Sequence, residues 1–146
     1  FICSSAALVA ISSPTGVVVN NVFIVGLAVF IIGFAIEVIA DNQKSKFRLD
    51  EKNRNMFINE GLWSRSRHPN YFGEIMLWTG ITIMSIPSFV GLNFLALFSP
   101  VFTYLLLNHI SGVRILEARG DEKWGNLTEY QEYKKQTPKL IPKIFS

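Results

Sequence analysis

Between residues 16 and 40 the chain reads GVVVNNVFIVGLAVFIIGFAIEVIA, with Glu37 as its one ionisable side chain. A hydrocarbon core is crossed by a helix of about 20 apolar residues, and backbone in lipid has to satisfy its own hydrogen bonds. This one run therefore confines the chain to a helical membrane architecture. Two further apolar runs follow, at about 70–86, opened by the helix-favouring Pro69, and at about 89–110, with Pro100 inside it. A kink there is tolerable in a membrane bundle. Pro87 and Ser88 make a tight connection, so these two runs form a hairpin that returns the chain to the side it left. The expected fold class is all-α, a polytopic membrane helix bundle, treated as one domain over residues 1–146 with a polar tail at 113–146. The opening FICSSAALVAIS has neither an initiator Met nor a charged leading segment. It reads as a truncated helix in preference to an uncleaved signal core, so the expectation is the C-terminal part of a longer protein, with an N-terminal part missing.

The net charge of +3 would suit a nucleic acid partner if the basic residues formed one patch. They do not. Lys44, Lys46, Arg48, Lys52, Arg54, Arg65 and Arg67 lie between the first and second apolar runs, and the other basic residues follow the third. The connections at SSPT and SIPSFVG carry no charge. The positive-inside rule accounts for that distribution with no nucleic acid, and places the basic loop and the tail in the cytoplasm. The segment DNQKSKFRLDEKN reads as a helical extension of the first span, broken at Gly61 in INEGLW. In the tail, charges on helical spacing from Val113 stop at Gly125 and Asn126, and Leu140, Ile141, Ile144 and Phe145 are available to pack on the bundle. The lone Cys3 and two histidines on separate segments supply no metal site.

Three groups carry chemistry. Glu37, Asp41, Lys44 and Arg48 share one helical stripe leaving the membrane, either as an interfacial salt-bridge ladder or as a binding edge. Asn70 and Glu74 stand one turn apart on a face near Phe72, Ile75, Met76 and Trp78. A carboxyl desolvated there favours its neutral form and is able to donate a hydrogen bond to a carbonyl oxygen; the alternative is a structural clamp to Arg65, Arg67 or a tail lysine. His68, taken alone, fits a capping or packing role. In the tail, Arg114, Glu117, Arg119, Asp121, Glu122 and Lys123 stand near Tyr130 and Tyr133. Such a cluster suits phosphates and anionic headgroups equally. A glycine-rich phosphate loop of Rossmann or P-loop form is missing.

The stretches ADNQKSKFR, GLWSRSRHPNYFGEIMLWTGI and SGVRILEARGDEKWGNLTEYQEYKKQTPKLIPKIF resemble the steroid 5-alpha-reductase C-terminal superfamily, in particular its bacterial branch of domains of unknown function. Sterol reductases and isoprenylcysteine carboxyl methyltransferases are more distant relatives. The resemblance implies a reductase-like membrane fold that wraps NADPH on its cytosolic side and reduces a conjugated C=C bond in a steroid-like or other lipid substrate. It implies nucleotide contacts at Asp41 and Arg48, with Glu37 standing where the steroid reductases carry Asn. Asn70 would contact the nicotinamide carboxamide, and Glu74 would polarise the enone carbonyl. Arg67, His68 and Tyr71 belong to the same motif, which implies cofactor contacts at Arg67 and Tyr71 and a catalytic role for His68 beside Glu74. Glu117, Arg119, Tyr130 and Tyr133 fall on the adenosine side. A tyrosine that the steroid reductases bring from their N-terminal half has no counterpart in this chain. The methyltransferases share an Arg-His-Pro-x-Tyr-x-Gly run, which makes methyl transfer from S-adenosylmethionine the alternative; Glu74 directly after Gly73 favours the reductase. The expected partners are a lipid-like substrate and the surrounding membrane lipids.

Overall fold

The computed structural model describes residues 4–14, 16–110 and 112–143. Six α-helices make up its frame: α1 (Ser5–Ser12), α2 (Asn21–Leu49), α3 (Pro69–Ser85), α4 (Phe98–Leu105), α5 (Val113–Trp124) and α6 (Thr128–Gln136). Among the described residues there is no β-strand. The architecture is the all-α membrane fold that the apolar runs imply.

Helix α2 starts where Asn20 caps it, its side chain accepting a hydrogen bond from the Phe23 N–H at 3.0 Å. Capping of this kind contributes about 1 kcal/mol. The helix is long and apolar enough to cross a membrane, and so is the segment Gly91–Trp124. In the latter the long uncharged stretch gives way to charge at Arg114, in α5. Exposed large apolar side chains cover the outside of α2, among them Val25, Ile31, Phe34 and Ile39. The accessible surface totals 9336 Å², against the roughly 7,600 Å² expected of a soluble monomer of this mass. A surface that large and apolar marks contact with lipid or with further protein segments.

The main contact of the molecule joins α2 to α3. On α2 the buried residues are Gly26, Gly33 and Ala40, one per heptad; on α3 Gly73 and Gly80 face them. A Cβ on Gly33 would stand 2.6 Å from the Leu77 nitrogen and 2.7 Å from the Gly73 oxygen. On Gly73 it would stand 2.6 Å from the Glu37 nitrogen. The antiparallel backbones thus touch through paired glycines, the close approach that dispersion-driven packing in lipid favours. Along α3 the hydroxyls of Thr79, Thr82 and Ser85 bond back to the carbonyls of Ile75, Trp78 and Ile81, so these three hydroxyls are satisfied within the helix.

Two segments differ from the sequence expectation. The extension of α2 stops at Leu49, not in the INEGLW break. Asp50 is extended there, and its carboxylate accepts the Lys52 N–H at 3.0 Å, opening a 3-10 turn at Glu51–Asn53. Gly61, at φ +58°, starts a second 3-10 turn against Gln43, whose Oε1 accepts the Leu62 N–H at 2.9 Å. The third apolar run is not one continuous α-helix either. It is 3-10 over Gly91–Leu97, α over Phe98–Leu105 and π over Leu106–Ile110. Pro100 explains the first boundary: it sits in the opening turn of α4, where its missing N–H has no intrahelical partner to lose.

The tail closes back over the α2–α3 connection. Ser66 Oγ donates to the Leu140 carbonyl at 2.7 Å, the Arg67 N–H to Pro138, and the Lys143 N–H to Arg65. Leu140 is buried, as its apolar character leads one to expect, while Ile141 is 69% exposed; Ile144 and Phe145 lie outside the described residues.

Candidate functional site

At the polar end of α2 and α3 the chain forms a half-open cavity of about 140 Å³. Helix α2 contributes Lys44, Phe47 and Arg48, the connection contributes Met56, Phe57, Ile58 and Trp63, and α5 contributes Leu116, Glu117, Gly120 and Trp124. Tyr130 and Tyr133 enter from α6, and Arg67 and His68 from the turn before α3.

The aromatic wall is tied down at its polar atoms. Trp63 Nε1 donates to the Ala40 carbonyl at 3.0 Å, Trp124 Nε1 to Asn55 at 2.7 Å, and the Tyr133 hydroxyl to the Trp63 carbonyl at 2.6 Å. Phe57 stands edge-on to Tyr130 at 5.1 Å and to Trp124 at 6.1 Å between ring centroids. Lys44 lies over the Trp63 ring at 5.0 Å, a cation–π contact. Burial, assisted by the Glu117 and Asp121 charges, pushes the Tyr130 phenol up to about 12. Burial raises the Tyr133 phenol further. Both stay protonated donors throughout the physiological range.

Glu117 organises the cationic side. It pairs with Arg67 Nη1, meets His68 Nε2 at 2.7 Å and has Lys134 Nζ at 4.0 Å. Burial opposes its charge, but the His68 hydrogen bond and the Arg67, His68 and Lys134 charges prevail and hold its carboxyl below the ordinary range. His68 occupies the N-cap of α3, yet its ring does not cap the helix; it stacks on Tyr71 at 5.9 Å and serves Glu117. The clamp that the sequence analysis weighed for Glu74 exists, with Glu117 as its carboxylate. None of the ion pairs among the described residues involves Glu74.

Of the residues singled out from sequence, the cavity gathers Arg48, Arg67, His68, Glu117, Tyr130 and Tyr133. Tyr71 packs against Gly112 and the His68 ring. Glu37, Asp41 and Glu74 form a separate carboxylate group, close enough to interact electrostatically across the α2–α3 contact, with Trp78 as the hydrogen-bonding neighbour of Glu74. Asn70 is half-buried in the first turn of α3, between the cavity and this group in sequence. Arg119 lies outside the cavity, on the opposite side of α5. Sequence reasoning missed Phe57, Trp63 and Trp124 as walls and Lys134 as an ion-pair partner. The one available signal was the aromatic content of GLW and EKW.

The described residues hold no cluster of His, Cys, Asp and Glu able to bind a metal ion. An organic cofactor is a different matter. The cavity is comparable to the roughly 150 Å³ space that takes one benzene ring. Its walls offer aromatic faces to a planar ring, and Lys44 and Arg48 offer charge to a phosphate. Arg67 Nε and His68 Nδ1 are buried without a partner among the described residues. These features fit one ring-bearing end of a dinucleotide.

Fold and site together define a class: a helical membrane protein that closes an aromatic, cation-lined cavity over the polar ends of two glycine-packed helices. The chain belongs to the family described as Protein of unknown function (DUF1295), whose model matches residues 1–137. It is also similar to steroid 5-alpha-reductase DET2 of Arabidopsis thaliana, 30% identical over 125 residues that make up 84% of this chain and 42% of that protein. With steroid 5-alpha-reductase DET2 of Gossypium hirsutum it is 29% identical over 123 residues, 84% of this chain and 43% of that protein. The chain thus spans less than half the length of these curated relatives, and it falls within the steroid 5-alpha-reductase-like superfamily. No solved structure matches.

Proposed function

We propose that the protein is a membrane-embedded, NADPH-dependent reductase of a C=C bond conjugated to a carbonyl in a lipid substrate. The observation that carries this reading is the convergence of Arg48, Arg67, His68, Glu117, Tyr130 and Tyr133 on one ring-sized cavity, in a chain similar to steroid 5-alpha-reductases. Trp63, Phe57 and the two tyrosines would stack on the adenine end of the cofactor, and Lys44 and Arg48 would hold its phosphates. Arg67 is engaged by Glu117 and positions the wall. Asn70, at the start of α3, would hold the nicotinamide carboxamide. NADPH, when bound, supplies the hydride.

Glu74 supplies the acid. Addition to the β-carbon of an enone moves electron density onto the carbonyl oxygen, and a neutral carboxyl donating its O–H there stabilises the developing charge. Glu74 suits that task because it stands one turn beyond Asn70, beside the apolar Ile75 and Met76, and outside the ion pairs of the described residues. The test is cofactor oxidation with an enone lipid in detergent. Glu74→Ala should lower turnover by about two orders of magnitude, given the about 2.7–4 kcal/mol typical of losing an oxyanion donor. Glu74→Gln should fold, bind cofactor and lose less, because an amide still donates. Full activity in Glu74→Ala would remove the catalytic role.

A further inference from the structure

Helix α5 has two faces, and one of them takes no part in the cavity. Leu116, Glu117, Gly120 and Trp124 point into it. Arg114 and Arg119 border a second depression with Ile110, Ile115, Ala118 and Glu122. Both arginines are exposed, and among the described residues neither makes a hydrogen bond or ion pair within the chain.

The position of this depression identifies its occupant. It begins where the apolar run Gly91–Ile110 ends. Leu95, Phe98, Val101 and Leu105 are exposed along the approach, and Ile110 and Ile115 at its edge are 65% and 44% exposed. An exposed apolar band that gives way within four residues, from Ile110 to Arg114, to unpaired guanidinium groups marks the boundary between acyl chains and headgroups. A soluble phosphate would use the charge and leave the isoleucines unexplained. A phospholipid uses both.

We propose that this outer face of α5 binds the headgroup of an anionic phospholipid. Arg114 and Arg119 engage its phosphate, for which the planar guanidinium is suited, and Ile110 and Ile115 lie against the upper acyl methylenes. Glu122, on the same rim, weakens the attraction. The tail cluster that in sequence suits phosphates and headgroups equally is thereby divided: Glu117 serves the cavity and the two arginines serve the membrane.

The test measures how strongly the protein, reconstituted in phosphatidylcholine bilayers, selects spin-labelled phosphatidylglycerol over spin-labelled phosphatidylcholine in its motionally restricted lipid shell. A basic residue at an anionic surface is worth roughly a fivefold change in affinity. The Arg114→Gln, Arg119→Gln double variant should therefore lose at least about threefold of the wild-type preference for phosphatidylglycerol, and Arg-to-Lys exchange at both sites should retain most of it. Glu122→Gln should increase the preference, which decides the matter even if the double variant fails to fold. An unchanged preference in both the double variant and Glu122→Gln would overturn the proposal. Displacement of the labelled phosphatidylglycerol by glycerol phosphate or inorganic phosphate would overturn it too, by showing a site for a soluble anion.

Discussion

Glu117 holds three cationic partners that come from different parts of the chain: Arg67 and His68 from the turn before α3, and Lys134 from α6. Replacing it with Gln keeps a hydrogen bond to His68 but removes the charge that holds Arg67. Hydrogen bonds to charged groups contribute about 1.5–3 kcal/mol, so Glu117→Gln should lower stability by an amount in that range, read as thermal unfolding in detergent at pH 7. The pH dependence follows from the lowered carboxyl. The folded chain takes up this proton less readily than the unfolded one, so the stability is complete above the ordinary carboxylate range and is lost as pH falls through the folded value. Wild type should therefore lose more stability than Glu117→Gln on acidification from pH 7, and the two curves should converge in acid. The family resemblance marked Glu117 as a tail residue near the cofactor, but spacing gave no sign of its bond to His68, forty-nine residues away, because side-chain pairs across elements leave no periodic trace.

The contact between α2 and α3 is made of absences, with glycines where side chains would otherwise stand. Gly33→Ala or Gly73→Ala puts a methyl group under 3 Å from backbone atoms of the opposite helix, and backbone cannot turn aside as a side-chain tip can. Overpacking costs typically 1–3 kcal/mol, while Ala returns up to about 1 kcal/mol of helix propensity. Each variant should be destabilised by about 1–2 kcal/mol, and the double variant should approach the sum or less, because the two positions face one another. Unfolding in detergent measures this; unchanged stability in both single variants would mean the helices do not touch through these residues. Sequence reasoning missed the heptad Gly26, Gly33, Ala40 and its partner Gly73, Gly80, because glycine spacing alone does not say which helices meet. The interruption of the third apolar run was missed too: composition reports apolarity but not whether the turns are α, 3-10 or π, and Pro100 signals only that a boundary is near.

Over the whole molecule, the apolar runs and the one-sided basic residues made the helical membrane class readable before any coordinates, because lipid permits so few backbone arrangements. The cavity was half legible. Its charged members, Tyr130 and Tyr133 announced themselves, whereas Phe57, Trp63 and Trp124 come from a loop and a tail helix whose meeting depends on long-range hydrogen bonds such as Trp124 to Asn55. The same arrangement puts Asn53 and Lys135 at one end of the bundle, beside those contacts, and Val90 near the far end of α3. With Cys3 replaced by Ser, membrane-impermeant thiol reagents should label Asn53→Cys and Lys135→Cys from the cytoplasmic side and Val90→Cys from the other. Labelling of the first two from opposite sides would refute this topology.

What the cavity binds decides the reaction class, and the direct measurement is equilibrium binding of NADPH and of S-adenosylmethionine to the purified protein in bilayer discs, followed through quenching of its tryptophans. Wild type should bind NADPH more tightly than S-adenosylmethionine. Arg48→Ala should weaken NADPH binding by roughly ten- to a hundredfold, the equivalent of about 1.5–3 kcal/mol for a lost charged hydrogen bond. Tighter binding of S-adenosylmethionine, or NADPH affinity that neither Arg48→Ala nor Asn70→Ala alters, would contradict it.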